Sequence, residues 1–169
     1  MMNVIKYIKR ILLFLVPVYL YCLFIVIIDP YEFINLFHAV SAEKKIATLN
    51  RSEEASPRGN ILWKYIHFKR NPKPYVVFGD SQGRRMSVDL IRKYSGKEYF
   101  NFCVPGASFP TIVENFWYTA ESIPLKEVYF QVGFMNYNEN RLYSLNYLAE
   151  NYMHQPYRYF TSSEIFFDS

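Results

Sequence analysis

The chain has 169 residues, a length that fits one domain, and 51% of them are hydrophobic. Aromatic residues make up 20% of the chain, which argues against a disordered or low-complexity protein. The net charge of +4 is too small to make nucleic acid the expected partner, and the two cysteines exclude a disulfide-rich scaffold or a four-cysteine zinc site. A mean hydropathy near zero excludes a polytopic membrane protein but leaves room for one spanning helix.

An uncharged apolar stretch, ILLFLVPVYLYCLFIVII, covers residues 11–28 and is long enough to cross a hydrocarbon core of roughly 30 Å. Basic residues precede it and acidic residues follow it: Lys6, Lys9 and Arg10, then Asp29 and Glu32. The positive-inside rule predicts that residues 1–10 are cytoplasmic and that the rest of the chain is periplasmic or extracellular. A cleaved signal peptide is the alternative, but its apolar core would be too long and no small-x-small cleavage site follows. The pattern favours an uncleaved single-pass anchor in the cell membrane.

Residues 29–73 are interpreted as a tether between this anchor and a domain. Within them Ile61, Tyr65 and Phe68 have helical spacing, and His38 and His67 are interpreted as packing or surface residues rather than ligands. Because Cys22 lies in the apolar stretch and Cys103 lies beyond it, no disulfide between them is expected.

From residue 74 onward, short apolar runs alternate with helical patterns. Strands are predicted at residues 75–78, 98–104 and 126–133. The helices between them carry these apolar faces: Met86, Leu90, Ile91 and Tyr94, then Ile112, Val113, Phe116, Trp117 and Ala120. Such alternation predicts βαβ units and a parallel sheet, in which ligands bind at the carboxyl ends of the strands. Those ends are residues 79–81, 105–108 and 133–136.

The three strand ends resemble the conserved blocks of the SGNH (GDSL-type) hydrolases. VVFGDSQ is similar to the first block, NFCVPGAS to the second and VGFMN to the third, and the resemblance covers residues 74–140. It implies that residues 74–169 are the N-terminal part of an SGNH-type domain with a partial flavodoxin-like parallel sheet and flanking helices. The anchor is also similar to those of membrane-tethered members that act on cell-envelope glycans beside membrane acyltransferases.

The resemblance implies a role for each matching residue. Ser81 would be the nucleophile at the start of a helix, and the backbone N–H groups of Ser81 and Gly106, with the Asn136 side-chain amide, would form the oxyanion hole. Asp80 is expected to fix the loop through a backbone hydrogen bond two residues on. The alternatives are that Ser81 is a helix cap and that Asn136 is an ordinary loop residue. No metal and no cofactor is expected.

Two features depart from the family pattern. Asn136 lies three residues after Gly133 instead of two, and Tyr137 stands where the family has aspartate. The chain also has no Asp-x-x-His block to supply the general base, and His154 has no acidic partner at family spacing. A doubly wound domain normally has about five strands, so three visible strands lead us to expect the N-terminal part of a longer hydrolase, inactive alone.

Two arginines follow the predicted nucleophile. Arg84 and Arg85 would either bind an anionic group of the substrate or be solvated, one of them pairing with Asp89. The first functional hypothesis is an anchored esterase or O-acyl (acetyl) transferase acting on envelope glycans. The second is a non-catalytic anchored accessory protein that binds a glycan or a membrane acyltransferase.

Overall fold

The computed structural model describes residues 2–51, 58–131, 133–137 and 143–168, which form an α/β structure around a three-stranded parallel sheet. The helices are α1 (Met2–Ile28), α2 (Ala42–Arg51), α3 (Arg58–Arg70), α4 (Val88–Ser95), α5 (Phe109–Ser122), α6 (Tyr147–His154), α7 (Arg158–Thr161) and α8 (Ser163–Asp168). The strands are β1 (Tyr75–Phe78), β2 (Tyr99–Asn101) and β3 (Glu127–Phe130), and two 3₁₀ turns cover Gly83–Arg85 and Phe134–Tyr137. The predicted parallel sheet is confirmed; β1 has the predicted bounds, whereas β2 and β3 are shorter.

The sheet has the strand order β2-β1-β3, so β1 is central and its partners are edge strands. Val76 is in register with Phe100 and Val128, and these side chains lie on one face because residues in register share a face. That face is covered by α3 and α5. Val77 lies on the opposite face, where α4 contributes Ile91 to a smaller cluster. The two crossover helices α4 and α5 therefore pack on opposite faces of the sheet.

The core between the sheet, α3 and α5 contains many aromatic side chains. Phe68, Phe78 and Phe102 are fully buried. Phe102 meets Tyr65 edge to face at 5.5 Å between ring centroids, and Phe78 meets Phe116 in the same way at 5.9 Å. Such geometry is favourable for aromatic pairs beyond the area that they bury.

The helix α3 belongs to this core, although its residues fall in the segment interpreted as a tether. Ile61, Leu62, Ile66 and Phe68 are at most 4% exposed. A helix buried on several sides lacks a clear polar face, so its sequence gives a weak amphipathic signal. The described part of the segment is therefore not a free linker, because α3 packs beneath the sheet.

The predicted apolar face of α4 is also different in the structure. Leu90 is 55% exposed and Tyr94 is 83% exposed, while Val88 and Ile91 contact the sheet. The helix ends at Gly96 as predicted, with a left-handed φ of 69°. Similarly, α5 buries Thr111, Ile112, Asn115 and Thr119, and the predicted core residue Trp117 is 58% exposed.

Within the described part of the chain, α1 is the one helix with the length and composition to cross a membrane. The qualifying stretch is Lys6–Ile28, and only 6% of its most apolar window is buried. A core helix of a soluble protein would instead be mostly buried. Only its last turns join the domain, where Ile25 is fully buried in the core and Tyr21 packs against it.

The chain turns sharply where α1 ends. Asp29 is fully buried and has a left-handed φ of 41°, a common way to end a helix. Its carboxylate accepts backbone hydrogen bonds from Phe33 at 2.8 Å, Ile34 at 2.9 Å and Asn35 at 2.6 Å. The Tyr159 hydroxyl donates a fourth hydrogen bond at 2.7 Å. The apolar helix is thus fixed to a part of the chain 130 residues away.

Candidate functional site

Hydrogen bonds join the carboxyl ends of the three strands. Val104 N–H donates to the Gly79 carbonyl at 3.0 Å, and Gln131 N–H donates to the Phe78 carbonyl at 2.7 Å. Asp80 N–H in turn donates to the Gln131 side chain at 2.9 Å. Because α4 and α5 lie on opposite faces, this edge is also the switch point at which open α/β sheets bind ligands. The loops singled out in the sequence therefore meet at one edge of the sheet.

The loop after β1 presents Ser81 to solvent. Asp80 Oδ1 accepts a hydrogen bond from Gln82 N–H at 2.8 Å, which confirms the predicted loop-fixing role of Asp80. The Arg84 N–H donates to the Asp80 carbonyl at 3.1 Å and closes the turn. The Ser81 side chain is exposed at the top of this turn, accessible to a ligand.

The expectation that Ser81 begins or caps the following helix is wrong. Ser87 is the N-cap of α4, and its Oγ accepts a hydrogen bond from Leu90 N–H at 3.3 Å. Met86 is extended, with φ −66° and ψ 124°, and separates the 3₁₀ turn from α4. Ser81 is therefore not in the first turn of α4, where the helix dipole would favour a developing anion.

Two glycines let the loop pack closely on its neighbours. A Cβ at Gly79 would lie 2.6 Å from Gln131 Oε1, and one at Gly83 would lie 2.5 Å from Cys103 Sγ. Cys103 is fully buried, and burial raises the pKa of its thiol to about 12, so it is a packing residue rather than a nucleophile. Gln131 and Cys103 were not identified as site residues from the sequence; a polar residue directly after β3 was the available signal for Gln131.

Asn136 is brought to the same edge. It is 3% exposed, and its N–H donates to the Gly133 carbonyl at 3.0 Å. A Cβ at Gly133 would lie 3.2 Å from Asn136 Oδ1 and 3.6 Å from Asp80 Oδ2, so these two side chains converge. Among the described residues the Asn136 Nδ2 group has no hydrogen-bond partner. A buried amide donor of this kind is available to a ligand oxygen.

Gly106 lies in the turn after β2, with a left-handed φ of 73° that favours glycine. The Ala107 N–H donates to the Val104 carbonyl at 3.1 Å and holds this turn. Gly106 itself is exposed, and no described atom lies within 4 Å of a Cβ added there. The structure thus places it at the carboxyl edge of the sheet without joining it directly to Ser81.

The three histidines of the chain lie in other environments. His154 lines a cavity with Glu121 and Ser122 at the end of α5. Because α5 runs from the end of β2 to the start of β3, its last residues lie at the opposite edge of the sheet from Ser81. His38 is exposed in the segment after α1.

His67 is held in the α3 layer. Its ring stacks on Trp63 at 4.2 Å between centroids, and its Nε2 lies 3.4 Å from a Glu32 carboxylate oxygen. Burial lowers the pKa of His67, an effect that Glu32 opposes. In the described ranges, no hydrogen bond connects Ser81 to a histidine, the residue that most often acts as base for a serine nucleophile.

The two arginines after Ser81 differ in their surroundings. The Arg84 Nη1 donates to Asn60 Oδ1 of α3 at 3.4 Å, and its side chain lines a cavity. Arg85 is exposed, and no ion pair between Arg85 and Asp89 occurs in the described structure. Arg84 is therefore the better placed of the two for binding an anion.

No group of three potential metal ligands lies together in the part of the chain that the structure describes. Comparisons with protein-family models, with curated proteins and with solved structures find no match to this chain.

Proposed function

We propose that this chain is a membrane-anchored SGNH-like protein whose Ser81 edge serves an esterase or O-acyl transferase reaction on cell-envelope glycans. The supporting observation is that the loops carrying Ser81, Gly106 and Asn136 meet at the carboxyl edge of a parallel sheet and are joined by hydrogen bonds. The order β2-β1-β3 is also how a flavodoxin-like sheet begins.

In this proposal Ser81 Oγ gives its proton to a base and attacks the acyl carbonyl. The bond between the acyl carbon and the glycan oxygen then breaks, the glycan leaves as an alcohol that carries that proton, and the acyl group stays on Ser81. The negative charge that develops on the carbonyl oxygen is stabilised by N–H donors, and the unpaired Asn136 amide is the best-placed side-chain candidate. The backbone N–H groups of Ser81 and Gly106 complete the set. Arg84, which follows Ser81 on the same loop, holds an anionic part of the substrate.

We further propose that α1 spans the membrane once, with residues 1–10 cytoplasmic and the domain periplasmic or extracellular. The exposed apolar surface of α1 and the charge asymmetry at its two ends support this. The Asp29 turn fixes the domain directly to the end of the helix. Such a fixed anchor limits the Ser81 edge to substrates near the membrane.

A cysteine at Glu121, which is exposed on α5, tests this topology. We expect Glu121→Cys to react with a membrane-impermeant maleimide in intact cells or spheroplasts, whereas Lys9→Cys reacts only after lysis. The natural cysteines give a low background because Cys103 is fully buried and Cys22 lies within α1. The reverse labelling pattern would contradict the proposed orientation.

The second candidate function is a non-catalytic anchored protein that binds a glycan or a membrane acyltransferase. It is favoured by one observation: in the described structure no histidine contacts Ser81. A serine nucleophile without a base loses the roughly 10²–10⁴-fold that general-base catalysis contributes. The two candidates differ in whether a partner protein supplies that base.

Activity measurements on the full chain in detergent test the missing base. We expect p-nitrophenyl acetate hydrolysis to be equal for the wild type and for Ser81→Ala, because no described histidine can accept the Ser81 proton. Ser122→Ala, at an exposed serine of α5, is the matched control. A Ser81-dependent rate well above background would show that the chain has its own base.

Labelling in native membranes then separates the two candidates. If a partner supplies the base, a fluorophosphonate probe should label the wild type and Ser122→Ala but not Ser81→Ala. Absence of Ser81-dependent label from a correctly folded, membrane-inserted chain would reject the enzyme proposal in favour of the binding function.

A further inference from the structure

A cavity of about 470 Å³ lies along the outer edge of β2, away from the Asn136 side of the sheet. Its walls come from α3, from β2 and from residues 84–88, and we name it the β2-edge cavity. Its volume is in the range of small-molecule sites. Its polar lining consists of Asn60, Lys64, His67, Arg84 and Asn101.

The polar lining of the β2-edge cavity is cationic. Lys64 and Arg84 both face it, and no aspartate or glutamate is among the described residues that line it. Lys64 Nζ donates to the Asn101 carbonyl at 2.5 Å. An ammonium has three N–H groups, so two remain for a ligand among the described contacts. Glu32, which contacts His67 at 3.4 Å, lies outside the lining.

The charged form of Lys64 is energetically unfavourable in this cavity. Burial lowers the pKa of Lys64 to about 8, with Cys103 acting to raise it and Arg84 acting to lower it further. A methionine would fill the same space without a desolvated charge. A charge kept beside a second cation, in a cavity of this size, indicates a binding role.

We propose that the β2-edge cavity binds the phosphoryl group of an anionic ligand through Lys64 and Arg84. Two cations match the nearly two negative charges of a phosphate monoester, and the planar guanidinium suits its paired oxygens. The apolar part of the lining includes Met86, Val88 and Phe100, which would contact the uncharged part of the ligand. The inference rests on the binding role proposed for Arg84 but not on the chemistry of Ser81.

Inorganic phosphate is the first probe, titrated by NMR against the full chain in nonionic detergent. We expect Arg84→Gln and Lys64→Met each to weaken binding roughly tenfold or more, because each removes a charge-assisted contact. Arg85→Gln is the matched control: it removes the same charge one residue away, outside the cavity, and should change affinity less than about twofold. Lys64→Met should fold, since it removes a desolvated charge.

Equal weakening by Arg84→Gln and Arg85→Gln would overturn the proposal, because it would indicate a general charge effect. Absence of phosphate binding to the folded wild type would also overturn it, as would acetate binding as tightly as phosphate. Phosphate binding by Ser81→Ala is expected to equal that of the wild type, so the result is independent of the proposed reaction. Competition by glycerol 3-phosphate would indicate a soluble or polymer phosphate; competition only by phosphatidylglycerol in nanodiscs would indicate a lipid headgroup.

The pH dependence provides a second readout, with sulfate as a probe whose charge is constant. Among the described residues, two further titratable groups with shifted pKa values lie near Lys64: burial raises the pKa of Cys103 to about 12, and burial lowers the pKa of His67, which lines the same cavity. Among these described groups Lys64 is the one with a pKa just above neutral pH, so affinity for sulfate should fall as the pH rises above about 8. The same decline in Lys64→Met would contradict the assignment.

Discussion

Replacing Asp29 by alanine is expected to lower the free energy of unfolding of the domain by about 3–4 kcal/mol. The fully buried carboxylate accepts four hydrogen bonds, three from backbone N–H groups and one from Tyr159. Alanine would leave these donors buried without an acceptor. It would also have to adopt the left-handed φ of 41°, which aspartate tolerates better than alanine.

Tyrosine variants separate the contributions to this turn. Tyr159→Phe keeps the ring, which stacks on Phe33 at 4.8 Å, and removes only the hydroxyl, so a smaller loss of about 1–2 kcal/mol is expected. Tyr157→Phe, at a ring 62% exposed, is the control and should have little effect. The measurement is chemical denaturation of the full chain in detergent, followed by tryptophan fluorescence. A loss below 1 kcal/mol for Asp29→Ala would show that the turn is not a major source of stability.

The second large effect is expected at Gly83, directly beneath the Ser81 loop. Gly83→Ala should destabilise the domain by about 1–3 kcal/mol, because the new Cβ would lie 2.5 Å from Cys103 Sγ and 3.3 Å from Cys103 Cβ. The φ of Gly83 is not in the left-handed region, so the cost is steric and does not come from backbone strain. The same denaturation experiment measures it.

The Cys103→Ala background tests this cause. Removing the sulfur relieves the shortest contact, so Gly83→Ala should cost at least about 1 kcal/mol less there than in the wild type. Gly96→Ala, where no atom lies within 4 Å of the added Cβ, should show the same cost in both backgrounds. Equal costs for Gly83→Ala in the two backgrounds would mean that the contact with Cys103 is not responsible.

Several parts of the structure follow from local sequence signals. The run of residues 75–78 between Pro74 and Gly79 gave β1 with its correct bounds, because a buried parallel strand is a continuous apolar run. Gly96 ended α4, and Asp80 bonded the backbone two residues on. These features depend on backbone conformation and on neighbours in sequence, so they can be predicted from the local residues alone.

The tertiary structure decided which residues meet. The prediction placed the start of α4 at Ser81, whereas Ser87 is its N-cap in the structure. The loop after β1 instead packs over Cys103 and Gln131, which follow the other two strands. Residues 58–70 belong to the core because α3 packs beneath the sheet. A helix that is buried on several sides has no clear amphipathic pattern, so its sequence did not predict this packing.

The charged contacts likewise combine local sequence signals with tertiary packing. The order of residues alone shows that acidic residues follow the apolar helix and that arginines follow Ser81. Only the folded chain brings Tyr159 to Asp29, and Lys64 into one cavity with Arg84. These pairs are far apart in the chain, and a contact across such a distance is set by how the sheet and helices pack. Local sequence signals therefore indicate the strands and the long apolar helix α1, whereas packing sets the Asp29 turn, the Ser81 edge and the β2-edge cavity.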